Sequence, residues 1–167
     1  IVGPSGGGKT TAASLIPRFW DVDSGSVKIG GTDVRDYTLE SLMDQISMVF
    51  QNVYLFADTM ENNIKFGCPN ATHEQVVEAA KKDCCDDFIQ ALPDGYNTVI
   101  GEGGASLSGG EKQQISIARA MLKDAPIIVL DEATAYIDPE NEAVIQRAVA
   151  KLVENKTVIV IAHRLST

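Results

Sequence analysis

The chain opens Ile1-Val2-Gly3-Pro4-Ser5-Gly6-Gly7-Gly8-Lys9-Thr10, which fits the pattern G-x-x-x-x-G-K-[ST] at every fixed position. No other stretch restricts the fold so strongly. Glycines at 3, 6, 7 and 8 let the backbone curl until several N–H groups point inward. A helix starting where the curl ends adds a favourable potential for an anion. Such a loop belongs between a strand end and a helix start, so the pattern implies an α/β fold with a mainly parallel sheet. In that setting Lys9 reaches the β- and γ-phosphates of a nucleotide, and the Thr10 hydroxyl can ligate Mg²⁺.

The remaining pattern supplies the alternation that such a fold needs. A helix over 9–20 follows the loop, with Pro17 near its last turn and Trp20 as a packed helix end. Val27–Ile29 is a short strand leading to a Gly30-Gly31 turn. Thr38 caps a short helix over 39–44, and Ile46–Phe50 is a buried strand. Thr59–Phe66 is a short helix stopped by Gly67 and Pro69. Thr72 caps a longer helix to Leu92, on which Val76, Ala80, Cys84 and Phe88 recur every four residues and face a core. Pro93-Asp94-Gly95 then turns the chain, and Gly101–Ala105 is a loop. A helix over 109–122, a strand Ile127–Leu130, a helix Pro139–Val153 and a strand Thr157–Ile161 complete the order. Strands near both ends with helices between them predict a split layout. Residues 1–51 and 121–167 form a β/α core, and residues 52–120 form a helical insert.

Composition bounds the rest. The 167 residues are close to one domain of about 150. With 44% hydrophobic and 22% charged residues the chain buries a core. A net charge of −9 repels a phosphate backbone, so nucleic acid is not an expected partner. Cys68, Cys84 and Cys85 form neither a disulfide framework nor a CxxC pair, and read as ordinary thiols. The longest apolar run, Ala125 to Leu130, is too short to span a bilayer. Only Ile1-Val2 precedes the loop, where a feeding strand should carry more apolar residues. The expectation is therefore a fragment, truncated at both ends.

A second set of groups can join the loop chemistry. Ile127-Ile128-Val129-Leu130 reads as a strand buried on both faces, and Asp131 at its end can hold Mg²⁺. Glu132 follows at once. Strand alternation points it the other way, where it can polarise an attacking water as general base. Gln51 and His163 also stand at or just past the C-terminal ends of core strands, where α/β proteins place ligands. Finally, Leu107-Ser108-Gly109-Gly110-Glu111 opens a helix. Ser108 and Glu111 have capping-box spacing, but the two glycines cost helix stability. They make sense if a second phosphate must approach this helix start closely.

These stretches together resemble the ATP-binding cassette (ABC) ATPases. The glycine loop at 3–10, Gln51, Leu107–Glu111 and the Asp131-Glu132 to His163 pairing occur in the family's order. The resemblance implies a P-loop NTPase, with an incomplete RecA-like ATP-binding core at 1–51 and 121–167 and a helical subdomain at 52–120. It implies ATP and Mg²⁺ as cofactors. Gly3, Pro4, Ser5, Gly6, Gly7, Gly8, Lys9, Thr10 and Thr11 would bind nucleotide, while Thr10, Gln51 and Asp131 would surround the metal. Glu132 would be the catalytic base, His163 the switch residue on the γ-phosphate, and Asp138 part of a loop crossing to a partner. Ser108, Gly109 and Gly110 would bind the γ-phosphate of ATP held by a second subunit.

Thr98-Val99-Ile100-Gly101-Glu102, together with Leu55-Phe56, Thr59 and Asn63-Ile64, resembles the exporter branch. The implied partners are a second nucleotide-binding domain, as homo- or heterodimer, and a transmembrane domain touched by the helical insert. The implied place is the cytoplasmic face of the cell membrane. Glu111 stands where glutamine is commoner, Ala135 where serine is usual, and Asn62 where glutamate is usual; none of these removes a catalytic group. The family's adenine-stacking aromatic lies upstream of the glycine loop. The competing reading is a soluble, non-transport ABC ATPase of the translation-factor or DNA-repair type. Repair types place long coiled coils where this chain has a compact insert.

Overall fold

The structure is a computed structural model that describes residues 1–4, 6–50, 52–82, 85–101, 106–131 and 139–161. Its centre is a three-stranded parallel sheet in the order β3 (Ile46–Phe50), β4 (Ile127–Asp131), β5 (Thr157–Ile161). The register aligns Ile46 with Ile127 and Thr157 at one end, and Phe50 with Asp131 and Ile161 at the other. The Ile1 nitrogen donates to the Val160 carbonyl at 2.6 Å, so the glycine loop starts beside β5.

Both faces of the sheet are covered, which is why β4 is an unbroken apolar run. Ile128 and Leu130 pack with Val49, Ile117, Ala120, Ile145 and Leu152 against α6 (Gly109–Lys123) and α7 (Pro139–Leu152). Val129, between them in sequence, points the other way. It packs with Ala13, Leu42, Ile46 and Ile161 under α1 (Lys9–Ser14) and α2 (Leu39–Asp44). Ile128 and Val129 are fully buried, each stabilising the sheet by about 1.5–3 kcal/mol.

A separate core lies within the helical stretch. It is formed by α3 (Met60–Lys65), α4 (His73–Lys82), α5 (Asp86–Gln90) and one face of α6. Met60, Ile64, Val76, Ile89 and Ile115 are its largest fully buried aliphatic members. The helix α6 is shared. Ile115 and Ala118 face the helical core, whereas Ile117 and Ala120 face the sheet. Among the described residues no helix is long and apolar enough to cross a membrane.

The structure departs from the sequence reading at several points. The helix expected over 9–20 is regular only to Ser14. Pro17 has no N–H to continue it, and the chain closes instead with Arg18 N to Leu15 O and Phe19 N to Ser14 O. Arg18 takes the left-handed conformation at φ 59, a Schellman stop built on a non-glycine residue. Trp20 is not packed: it is 69% exposed.

The single helix expected from Thr72 to Leu92 is two. Beyond α4 the Cys85 N–H bonds five residues back, to Ala80 O, rather than four. That advances the inward face by one residue, so Cys85 and Ile89 follow Val76 and Ala80 into the core, and Phe88 is only partly buried. Cys84 lies outside the described residues. β1 (Lys28–Ile29) pairs with β2 (Thr32–Asp33) in a short antiparallel hairpin, of which the sequence predicts only the first strand, at Val27–Ile29. Elsewhere the agreement is close: α2 and β3 have the expected bounds, and the Thr38 hydroxyl accepts from Ser41 N as its cap.

Gly67 joins the two cores. A Cβ at this position would collide with the backbone carbonyl of Arg119 on α6, an atom that cannot swing aside. Gly67→Ala should therefore destabilise the fold by about 1–3 kcal/mol. Thermal unfolding reads this as a lowered Tm; an unchanged Tm would show that α3 and α6 do not approach so closely.

Candidate nucleotide site

The glycine loop follows Ile1-Val2 and ends on α1. Gly6 and Gly8 both have φ 75, a conformation that side chains rarely adopt, and Gly8 caps α1 from the left-handed region. Gly7 N donates back to Pro4 O at 3.2 Å, tightening the curl. Lys9 is only 8% exposed although it is a lysine. Its ammonium is held inside the loop by the carbonyls of Gly3 and Pro4, each at 2.9 Å. Pro4, Gly6, Gly7, Gly8, Thr10 and Thr11 are exposed around it.

Thr10 and Asp131 are brought together. The Thr10 hydroxyl donates to the Asp131 carboxylate at 3.2 Å, across 121 residues of sequence. Two hard oxygen donors at that separation fit Mg²⁺, whose octahedral edge is about 2.9 Å for metal–oxygen distances of about 2.0–2.1 Å. Neither residue could do this alone. Thr10 is placed by the loop-to-helix turn, and Asp131 by its position as the last residue of the central strand.

Phe50, Asp131 and Ile161 share one register row at the C-terminal ends of the three strands. Gln51 and Glu132 come directly after this row in sequence, and His163 two residues after it. These three, with Ser5 and Asp138, lie outside the described residues.

The second helix start is built as the capping-box spacing predicts. The Ser108 hydroxyl accepts from Glu111 N at 3.3 Å, and the Glu111 carboxylate accepts from Ser108 N at 2.7 Å. Glu111 thus serves as a cap. Gly109 is exposed, and among the described residues a Cβ on it would meet no atom within 4 Å outside its chain neighbours and its own helix backbone. No neighbour among the described residues requires a glycine there, while a better helix former would stabilise the first turn by up to about 1 kcal/mol. Gly110 is buried. Among the described residues, no hydrogen bond or ion pair ties 108–110 to the glycine loop.

The sequence reading missed Arg119. Its guanidinium donates to Asn63 O, Asn63 Oδ1 and Tyr54 O, and lies 6.0 Å and 5.7 Å from the ring centroids of Phe56 and Phe66. Burial lowers its pKa to about 10, and it stays cationic at neutral pH. Its only sequence signal is a cation within an otherwise largely apolar stretch, Ile115 to Leu122. Beside it, β3, residues 52–56, Phe66-Gly67 and α6 border an open groove of about 320 Å³, with Phe50, Tyr54, Phe56 and Phe66 among its exposed apolar residues.

Comparison with known proteins agrees with this geometry. Over 167 residues the chain is 56% identical to the "ATP-dependent lipid A-core flippase" of Desulfotalea psychrophila, covering 100% of this chain and 29% of the flippase. It is 53% identical over the same length to the "Putative multidrug export ATP-binding/permease protein YgaD" of Bacillus subtilis, again with 100% of this chain and 29% of that protein covered. The chain thus spans about 29% of the length of the curated relatives it matches. Among solved structures, the "Structure of a bacterial Atm1-family ABC exporter with ATP bound" superposes with a TM-score of 0.89 at 44% identity, over 99% of this chain and 29% of that one. The α/β fold with its parallel sheet is the one expected. Residues 1–135 match the family model described as "ABC transporter", well over half of the chain, and the chain belongs to that family.

Proposed function

We propose that this chain is the ATP-hydrolysing cassette of a membrane exporter, working as one of a pair. The observation that carries the reading is the Thr10 hydroxyl against the Asp131 carboxylate at 3.2 Å, beside a glycine loop that holds a buried Lys9 ammonium. Residues 1–51 and 121–167 act as the ATP-binding core, and 52–120 as the helical subdomain. Relatives named for lipid A-core flipping and multidrug export favour this over a soluble translation-factor or DNA-repair ATPase.

In this reading the loop N–H groups and Lys9 take the phosphates of ATP. Lys9 exchanges its bonds to the Gly3 and Pro4 carbonyls for phosphate oxygens. Thr10, Asp131 and Gln51 hold Mg²⁺, which supplies neutralisation of the phosphate charge. Glu132 accepts a proton from the attacking water. The water oxygen bonds to the γ-phosphorus as the bond to the departing ADP oxygen breaks, and His163 contacts the γ-phosphate. Ser108, Gly109 and Gly110 present their helix start to ATP bound on the second cassette, and Asp138 crosses to that cassette. A transmembrane domain, joined to or assembled with this chain at the cytoplasmic face of the membrane, sits on the aromatic groove beside residues 52–56. Nucleic acid has no part in it.

The metal assignment has its own test. In the assembled transporter, Asp131→Asn should raise the Mg²⁺ concentration for half-maximal hydrolysis by roughly tenfold or more, the equivalent of about 1.4 kcal/mol. ATP binding measured without Mg²⁺ should persist. A Mg²⁺ titration unchanged from the parent would remove Asp131 from the site, and with it the main support for the proposal.

A further inference from the structure

We propose that Arg119 is a positioning residue that ties the segment following Gln51 to helix α6, so that this segment and the Ser108–Gly110 helix start move as one body. The inference rests on the cassette reading above and extends it to a residue that touches neither nucleotide nor metal.

Arg119 lies on α6, 11 residues beyond Ser108, about three turns along one continuous helix. Its guanidinium uses all its nitrogens. Nε donates to Asn63 O at 2.5 Å, Nη1 to Tyr54 O at 2.8 Å and Nη2 to Asn63 Oδ1 at 2.8 Å. Asn63 is 1% exposed and continues the clamp. Its Oδ1 accepts from Phe56 N at 2.9 Å, and its Nδ2 donates to Phe56 O and Thr59 O, each at 3.0 Å. Residues 56 and 59 are therefore pinned to α3 by Asn63, and residue 54 and Asn63 itself are pinned to α6 by the guanidinium. The clamp starts three residues after Gln51 in sequence.

Burial pushes the ionisation of Arg119 down, and no acidic group among the described residues offsets its charge. Its partners are carbonyl oxygens and the two phenylalanine rings. A half-buried cation satisfied this way does not compete well with a packed apolar side chain as a source of stability. What it adds is geometry, because a rigid planar fork meets those carbonyls only when residues 54–63 hold one arrangement against α6. Lysine, a single point donor, cannot reproduce it.

The test uses the full-length transporter with Arg119→Lys, which keeps charge and stem, and Arg119→Ala. Four quantities are read: Tm, ATP affinity, kcat and KM. For Arg119→Lys the expected result is a Tm close to the parent's, unchanged ATP affinity and KM, and kcat lowered about tenfold, the equivalent of about 1.4 kcal/mol in the barrier. Asn63→Ala should lower kcat in the same way, and adding it to Arg119→Lys should bring little further loss. Full kcat in Arg119→Lys would overturn the proposal. So would a fall in ATP affinity that matches the fall in kcat, since that pattern reports damage to the nucleotide site itself rather than to the tie between the two segments. If Arg119→Ala does not fold, Arg119→Lys alone decides. A parent protein that fails to hydrolyse ATP would sink the cassette reading itself, whereas an active parent with an equally active Arg119→Lys variant sinks only this inference.

Discussion

Glu132→Gln is expected to lower steady-state ATP hydrolysis in the assembled transporter by about 10²–10⁴-fold, the usual worth of a positioned general base. The amide keeps the size and hydrogen-bonding reach of the carboxylate but cannot accept the proton. In the proposed site, binding would rest on other groups: the loop N–H donors, Lys9, Thr10 and Asp131. ATP affinity should therefore survive, and the unreacted nucleotide should hold two cassettes together as a stable dimer. Turnover assays paired with size-exclusion chromatography in Mg-ATP read both consequences. Near-normal turnover would move the base elsewhere. The choice of Glu132 over its neighbour follows from the sheet. Asp131 is the last residue of β4 and is already engaged with Thr10.

Ser108→Arg is expected to be as damaging by a different route. Ser108 is exposed at the start of α6, where helix N–H groups favour an anion. An arginine there adds bulk and opposes the helix dipole. If this helix start faces the γ-phosphate of a neighbour's ATP, hydrolysis should fall about 10²-fold or more, on the scale of losing one preorganised donor. ATP binding to the chain's own loop should be untouched. The substitution also removes the cap to Glu111 N, worth about 1 kcal/mol. Ser108→Ala is therefore the control: it removes the cap without the bulk and should cost stability with far less loss of turnover. Equal losses in the two variants would reduce the feature to a capping box.

The site was legible in sequence wherever one local rule governs it. The loop, the Ser108 cap and the buried run ending at Asp131 each follow from short-range chemistry. Their meeting follows from strand–loop–helix logic, and the Thr10–Asp131 pair lies where that logic puts it. What failed was set by longer-range geometry. The break between α4 and α5 depends on one N–H reaching five residues back, which no periodicity announces. The exposure of Trp20 depends on what faces the end of α1, and a sequence window does not contain it. No local pattern marks Arg119, because its partners at Asn63 and Tyr54 lie 56 and 65 residues away. Gln51, Glu132 and His163 remain proposals drawn from strand ends and family resemblance.

The central claim is that each ATP site is shared, the glycine loop coming from one cassette and the 108–110 helix start from the other. Two cassettes linked in tandem within the transporter test this directly. Lys9→Ala disables a loop, and Ser108→Arg disables a helix start. With both changes in one cassette, every shared site carries one defect, and ATP occlusion and single-turnover hydrolysis should vanish. With the changes split between the cassettes, both defects fall in the same site. The other site stays intact, and single-turnover hydrolysis should persist there. The opposite pattern, activity when both changes sit in one cassette and none when they are split, would mean that each chain carries a complete site of its own.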